Sequence, residues 1–220
     1  MTLTVVKCGG AALAQGPFEL GRYAEADDEV CVVHGAGARI TAALHAAGVE
    51  SHFVGGRRVT SAEALPVVRE AFRQENELLC GQIGPTAFGL LGDDLGLQAD
   101  LLPGYGHVGT LRPVVPPALW GLIGAGRVPV IAPLAQGPLN VNADDAASVL
   151  AVALGADRLV FVSDVGGVIV GGEVVARLSA HDISGLDREV GGGMLPKLQA
   201  AVAAAREGVR AEVGATLVVA

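Results

Sequence analysis

Five short apolar runs rich in β-branched residues punctuate the chain, at residues 3–6, 30–33, 128–131, 159–162 and 217–219. Gly, Pro or charge bounds each run, and segments of helical periodicity separate them. Near-continuous apolar strands alternating with helices predict an α/β protein whose mostly parallel sheet is covered on both faces. Helix limits are legible too. Residues 37–47 close on Gly48, 144–154 on Gly155 and 194–207 on Gly208, while Thr60 with Glu63 reads as a capping box opening a further helix. No fixed-period repeat or low-complexity linker interrupts the pattern. Around residues 137–142 it divides into an N-terminal lobe, 1–138, and a C-terminal lobe, 139–220.

Composition narrows the picture. Of 220 residues, 51% are hydrophobic and only 4% aromatic, with 32 glycines, so the core must be built from Val, Leu, Ile and Ala with closely approaching backbones. No apolar stretch approaches the roughly 20 residues that span a bilayer. Met1 runs straight into the first strand without a basic leader or cleavage site, which predicts a cytoplasmic location and no membrane partner. A net charge of −8 without a Lys/Arg cluster argues against nucleic acid as a partner. Cys8, Cys31 and Cys80 lack metal-ligand spacing and read as reduced core thiols.

Several segments could carry chemistry. Lys7-Cys8-Gly9-Gly10 ends the first strand, where paired glycines either make a plain turn or let backbone N–H groups approach a phosphate. His34-Gly35-Ala36-Gly37 opens a helix whose free N–H groups suit an anion, although the motif is weak alone and His34 reads first as a packed side chain. In Gly55-Gly56-Arg57-Arg58-Val59-Thr60, one of the two arginines is expected to point inward, where its planar fork would match a carboxylate. Residues 104–109 read as a hairpin turn carrying His107. Asn140-Val141-Asn142-Ala143-Asp144-Asp145 is the strongest segment: in extended geometry Asn140, Asn142 and Asp144 point to one side. Finally, Ser163-Asp164-Val165-Gly166-Gly167-Val168-Ile169 follows a buried strand. Gly191-Gly192-Gly193 precedes Lys197, a cation in the first turn of a helix, where the dipole disfavours it unless an anion binds nearby.

In this order, Lys-x-Gly-Gly, His-Gly-x-Gly, Gly-x-Arg-Val-Thr, Gly-His-Val-Gly, Asn-Val-Asn-Ala-Asp, Ser-Asp-Val-x-Gly and Gly-Gly-Met-x-Pro-Lys resemble the amino-acid kinase family across nearly the whole chain. The resemblance implies an open three-layer αβα sandwich with a mainly parallel central sheet. It also implies transfer of phosphate from ATP, arriving as its Mg2+ complex, to the side-chain carboxylate of N-acetyl-L-glutamate, a step of arginine biosynthesis. Lys7 and Lys197 would stabilise the moving phosphoryl group and Asp144 would orient both. Arg58, Asn140, Asn142, Ala36 and Gly37 would hold the substrate. Gly9, Gly10, Asp164, Val165, Gly166, Gly167, Val168, Ile169, Glu189, Val190 and Gly191 would hold ATP. No protein ligand set for a metal is expected.

Two further expectations follow from the same resemblance. Where family members carry an additional strand and helix, residues 205–219 run through almost directly, so the nucleotide lobe reads as shortened. The chain also begins at its first strand, without the N-terminal helix of arginine-inhibited hexameric relatives, which predicts an arginine-insensitive homodimer. Two alternatives share the scaffold: a kinase of the aminoadipate branch of lysine biosynthesis, and a regulatory or binding homologue with impaired nucleotide binding. Carrier-protein-linked relatives of the first kind need a basic surface that this acidic chain lacks.

Overall fold

The computed structural model describes residues 1–9, 17–25, 27–183, 186 and 193–220. The chain opens on β1 (Leu3–Cys8), β2 (Glu29–His34) and α1 (Gly37–Ala46), followed by the β3–β4 hairpin (Phe53–Val54, Arg57–Arg58) and α2 (Ala64–Ile83). Next come β5 (Ala87–Leu91), α3 (Gly92–Leu95), β6 (Ala99–Leu101), β7 (Val108–Leu111), α4 (Pro117–Gly124) and β8 (Val128–Ala132). β9 (Leu134–Ala135) and β10 (Leu139–Val141) lead into α5 (Ala143–Ala153) and β11 (Arg158–Phe161). The last third holds β12 (Ile169–Val170), β13 (Glu173–Val174), β14 (Arg177–Ser179), α6 (Ala180–Ile183), α7 (Met194–Arg206), β15 (Arg210–Val213) and β16 (Thr216–Val219).

The main sheet has eight strands in the order β14-β16-β15-β11-β1-β2-β8-β5, parallel throughout except where β15 meets β16. β1 is near-continuously apolar, interrupted by Thr4 and Lys7, because the strand is central and buried along its whole length. Alternate residues feed two cores. Val5, Val33, Ile131, Leu159 and Phe161 face α4, α5 and α7, while Val6, Val32, Val130 and Val162 face the other way, onto Leu79 of α2 and Phe18. This is the predicted layered architecture with a mainly parallel sheet. A smaller sheet, β6-β7-β10-β9, carries Asn140 on β10.

Three local expectations need correction. The helix predicted to open at Thr60 begins at Ala64, and Ser61 Oγ, not Thr60, accepts from the Ala64 N–H at 3.1 Å. Thr60 is instead bridged in parallel to Gly106, and its Oγ1 accepts from Asn140 Nδ2. Asp144 is not extended: the strand stops at Val141, and Asn142 caps α5 by accepting from the N–H groups of Asp144 and Asp145. The chain end is a two-strand hairpin, where the pattern predicted one strand. β15 alternates charged and apolar residues, since Arg210 and Glu212 point away from the core. Among the described residues, no helix is long and apolar enough to cross a membrane.

Candidate active site

The carboxyl ends of β1, β2 and β11 lie side by side, with Lys7 opposite Val33 and Phe161, so the turns that follow these strands share one edge of the sheet. The turns are close-packed. A Cβ on Gly35 would sit 3.8 Å from Ala143 Cβ and 3.9 Å from Gly9 Cα, and one on Gly9 would lie 3.3 Å from Lys7 Nζ. The first turn of α5 therefore points Asp144 at the end of β1. Asp144 Oδ1 lies 2.7 Å from Lys7 Nζ and 3.5 Å from Lys197 Nζ, which arrives from the first turn of α7.

All three side chains are largely buried. Burial alone raises the Asp144 carboxyl, but the two ammonium groups outweigh it and hold the group below its usual range. Burial, reinforced by Lys7, lowers Lys197 against the opposing pull of Asp144. Two cations share the Asp144 carboxylate here, and Asp164 adds a second, opposing charge felt by Lys197. Lys197 Nζ also stands 5.7 Å from the Phe161 ring centroid. The cation at the head of α7, unfavourable to the helix dipole, is thus accounted for by Asp144 as a neighbour.

Beside this cluster is a cavity of about 130 Å³ with apolar walls from Ile40, Phe53, Phe72 and Val108, and polar groups from Arg57, Arg58, Asn140 and Asn142. Of the two arginines Arg58 points inward, buried, as expected for one of the pair. Its guanidinium donates to Ser51 Oγ, to Thr41 Oγ1 at 2.8 Å and to the Gly37 carbonyl at 3.2 Å, and stacks 4.5 Å from the Phe53 centroid. Burial lowers its pKa below the ordinary arginine value, and it stays cationic at neutral pH. Asn140 Nδ2 donates to Thr60 Oγ1 at 3.1 Å. The loop before β7 sets that contact: Thr60 N–H donates to Tyr105 O, His107 N–H to Thr60 O and Asn140 N–H to His107 O. Gly106 (φ +71) is required there, since a Cβ would come within 2.2 Å of Thr60 O.

Other expected site residues fall less simply. Gly37 is the first residue of α1, at the cavity wall. The Ala36 methyl is buried in the core with Ile40 and Leu44, leaving the backbone as what this residue can offer a ligand. Asn142 lines the cavity, but its Oδ1 is engaged as the cap of α5. Asp164, Val165, Gly166 and Gly167 form the turn after β11 and reach the same sheet edge. Val168 is a core side chain whose N–H donates to Thr216 Oγ1 at 2.9 Å, and Ile169 is exposed in β12. Gly10, Glu189, Val190 and Gly191 lie outside the described residues.

Single-sequence reasoning missed Thr41, Ser51 and Thr60, which hold Arg58 and Asn140, and Asp145, which pairs with Arg57. A Thr two residues after the buried arginine was the one visible signal. His34 is fully buried, its Nε2 3.0 Å from Asn76 Nδ2, and burial pushes it down to about 4, so it is a neutral packed side chain at physiological pH. Cys8 and Cys31 are buried thiols pushed up to about 12 by burial. Among the described residues, no cluster of three or more His, Cys, Asp or Glu could hold a metal ion.

The family model described as the amino acid kinase family matches residues 2–214. The chain belongs to that family. It is 41% identical over 227 residues to an acetylglutamate kinase of Rubrobacter xylanophilus, with 97% of this chain and 88% of the relative covered. It is 39% identical over 231 residues to one of Roseiflexus castenholzii, covering 94% and 86% respectively. Among solved structures, the Streptococcus mutans protein smu.665 superposes with a TM-score of 0.85 at 25% identity, covering 99% of this chain and 98% of that one. The layered fold and the family expectation drawn from the sequence are thereby borne out.

Proposed function

We propose that this member of the amino acid kinase family is an enzyme that phosphorylates the side-chain carboxylate of N-acetyl-L-glutamate with ATP, a step of arginine biosynthesis. The observation that carries the reading is the Lys7–Asp144–Lys197 cluster beside a cavity holding a buried arginine and an amide. Relatives at 39% and 41% identity named acetylglutamate kinase support the choice of substrate over an aminoadipate derivative.

The chemistry fits the groups present. A side-chain carboxylate has a reference pKa of about 4.3 and is already an ionised nucleophile at neutral pH, so no base is needed. One carboxylate oxygen attacks the γ-phosphorus, the bond from that phosphorus to the β,γ-bridging oxygen breaks, and ADP leaves with the electron pair. The enzyme must position the partners and neutralise charge on the phosphoryl oxygens. Lys7 and Lys197 would supply that charge, with Asp144 fixing where both ammonium groups sit. Arg58 would bind the α-carboxylate and Asn140 the acetamido end, with Gly37 N–H and the Ala36 backbone at the rim. Gly9, Gly10 and the turn Asp164–Gly167 would face the nucleotide, with Val168, Ile169, Glu189, Val190 and Gly191 completing its pocket. Lysines and glycine N–H groups suit phosphate oxygens rather than a metal, so Mg2+ would be held by the nucleotide's own phosphates, where it would neutralise charge.

On this reading residues 1–138 supply most of the acceptor site and 139–220 most of the nucleotide site, with Asn140 crossing over. A cytoplasmic homodimer is proposed as well. β5 is an edge strand of the main sheet, and it and the adjacent α2 expose Phe88 and Leu78, an apolar pairing suited to a second copy. Light scattering should return twice the monomer mass.

The function is tested by a hydroxamate assay for acyl phosphate with N-acetylglutamate, N-acetylaminoadipate and aspartate, on the native protein and Lys197→Ala. The expected result is turnover of N-acetylglutamate, reduced about a hundredfold or more in the variant. Inertness toward all three, or a variant equal to the native protein, overturns the reading.

A further inference from the structure

The β3–β4 hairpin cannot hold its own position. Each strand has two residues, joined through Gly55 and Gly56, both at positive φ (54° and 76°), as a two-residue primed turn requires. Isolated two-stranded hairpins are marginal in water even when longer. Its placement must therefore come from tertiary anchors. On the inner side Arg58 reaches Ser51, Thr41 and Gly37. These are the contacts an incoming carboxylate would compete with on the proposed acceptor reading.

The tip has two other anchors, both on segments distant in sequence. Gly56 is packed so closely on α7 that a Cβ would sit 2.8 Å from Pro196 Cγ, one residue before Lys197. Arg57 Nη2 donates to Asp145 Oδ2 at 2.5 Å, across 88 residues of sequence. Asp145 directly follows Asp144 in the first turn of α5, and Arg57 also lines the cavity. The pair does two things at once. It ties the wall of the cavity to the helix that presents Asp144. It also quenches a carboxylate that would otherwise repel anionic ligands at the mouth of the site.

From this geometry we infer that Arg57 and Asp145 are positioning residues for the acceptor: their ion pair clasps the hairpin to α5, setting acceptor affinity without touching the nucleotide. The inference rests on the cavity being the acceptor site. It is distinct from the direct alternative, in which Arg57 itself grips an acceptor carboxylate. The two differ in what they predict for Asp145. A clasp fails when either partner is removed, whereas a gripping arginine is freed when Asp145 is neutralised.

Arg57→Leu, Asp145→Asn and the exchanged pair Arg57→Asp/Asp145→Arg should be compared with the native chain in steady-state assays that vary N-acetylglutamate and ATP separately. The clasp predicts that each single variant raises the KM for N-acetylglutamate about fivefold, with the KM for ATP within twofold, and that the exchanged pair recovers most of the loss. A lower acceptor KM in Asp145→Asn overturns it in favour of direct contact. Single variants within twofold of native, equal rises in both KM values, or an exchanged pair no better than the singles overturn it too. Hydrogen exchange on the ligand-free proteins separates this from failure of the acceptor reading. Both single variants should speed exchange about fivefold at residues 53–59, including the Val59 N–H that donates to His52 O. If the native chain is inert toward N-acetylglutamate, the substrate assignment falls and exchange alone decides the clasp: unchanged rates at these amides overturn it.

Discussion

Asp144 is surrounded by opposite charge in a way that makes its replacement informative. Asp144→Asn keeps the shape but leaves Lys7 and Lys197 facing each other with no anion between them. Lys197, already lowered by burial and by Lys7, then loses the partner that holds its proton. The expected outcome is a kcat about a hundredfold lower, with the alkaline limb of the pH–rate profile moved to lower pH. Breaking a buried pair should also cost about 3 kcal/mol of stability, read from urea unfolding. His34 supplies a second residue-scale test. Its folded pKa of about 4 lies below an unfolded value of about 6.5, so the unfolded chain binds the extra proton first. The contribution is full above about pH 6.5 and is lost as pH falls toward 4. Between pH 7.5 and 4.5 the native chain should lose about 2 to 3 kcal/mol more than His34→Gln, whose amide oxygen can still accept from Asn76. Equal losses in the two proteins would refute the assignment. The two lysines and Asp144 were legible in sequence because each sits in a motif. Thr41 and Ser51 were not, since nothing local marks them as partners of an arginine 17 and 7 residues away.

Elements were legible where hydrophobic periodicity was strong and misread where polar residues had two possible jobs. The run from Asn140 to Asp144 alternates like a strand, yet only Asn140 and Val141 lie in one. Asn142 is drawn into capping because the first N–H groups of α5 have no other acceptor. That cap does more than stabilise a helix: it fixes the turn that aims Asp144 at the lysines. Asn142→Ala should therefore cost about 1 kcal/mol in stability and also lower kcat, while Asn142→Ser, which can still cap, should recover both. A variant that loses stability but keeps native kcat would show that the cap has no part in placing Asp144. The misplaced start of α2 has the same origin. Thr60 and Ser61 are both competent caps, and the choice falls to Ser61 because Thr60 is needed by Asn140, 80 residues away.

At the scale of the whole molecule, the layered α/β class followed from buried, unalternating strands, and strand order did not, because pairing β15 against β16 is decided by a turn rather than by periodicity. Gly214, at φ +55, makes that turn directly beneath the loop after β11: a Cβ there would lie 2.4 Å from Gly166 O and 2.8 Å from Gly167 N. Ala215 N–H donates to Gly166 O at 2.7 Å, and Thr216 Oγ1 accepts from Val168 N–H. The closing hairpin is thus the floor under Asp164–Gly167, while the cavity holding Arg58 and Asn140 is framed by α1, α2 and the β3–β4 hairpin. If the two substrates occupy these separate places, damage to the floor should reach only one of them. Gly214→Ala combines left-handed strain with a backbone clash, and should lift the loop, raising the KM for ATP about tenfold with the KM for N-acetylglutamate within twofold. Gly106→Ala, which drives a methyl into Thr60 O, should do the reverse. Both variants need only remain folded, by circular dichroism, for the comparison to hold. If either moved both KM values together, the two sites would be one cooperative unit, and the separation of acceptor and nucleotide across Asp144 would be wrong.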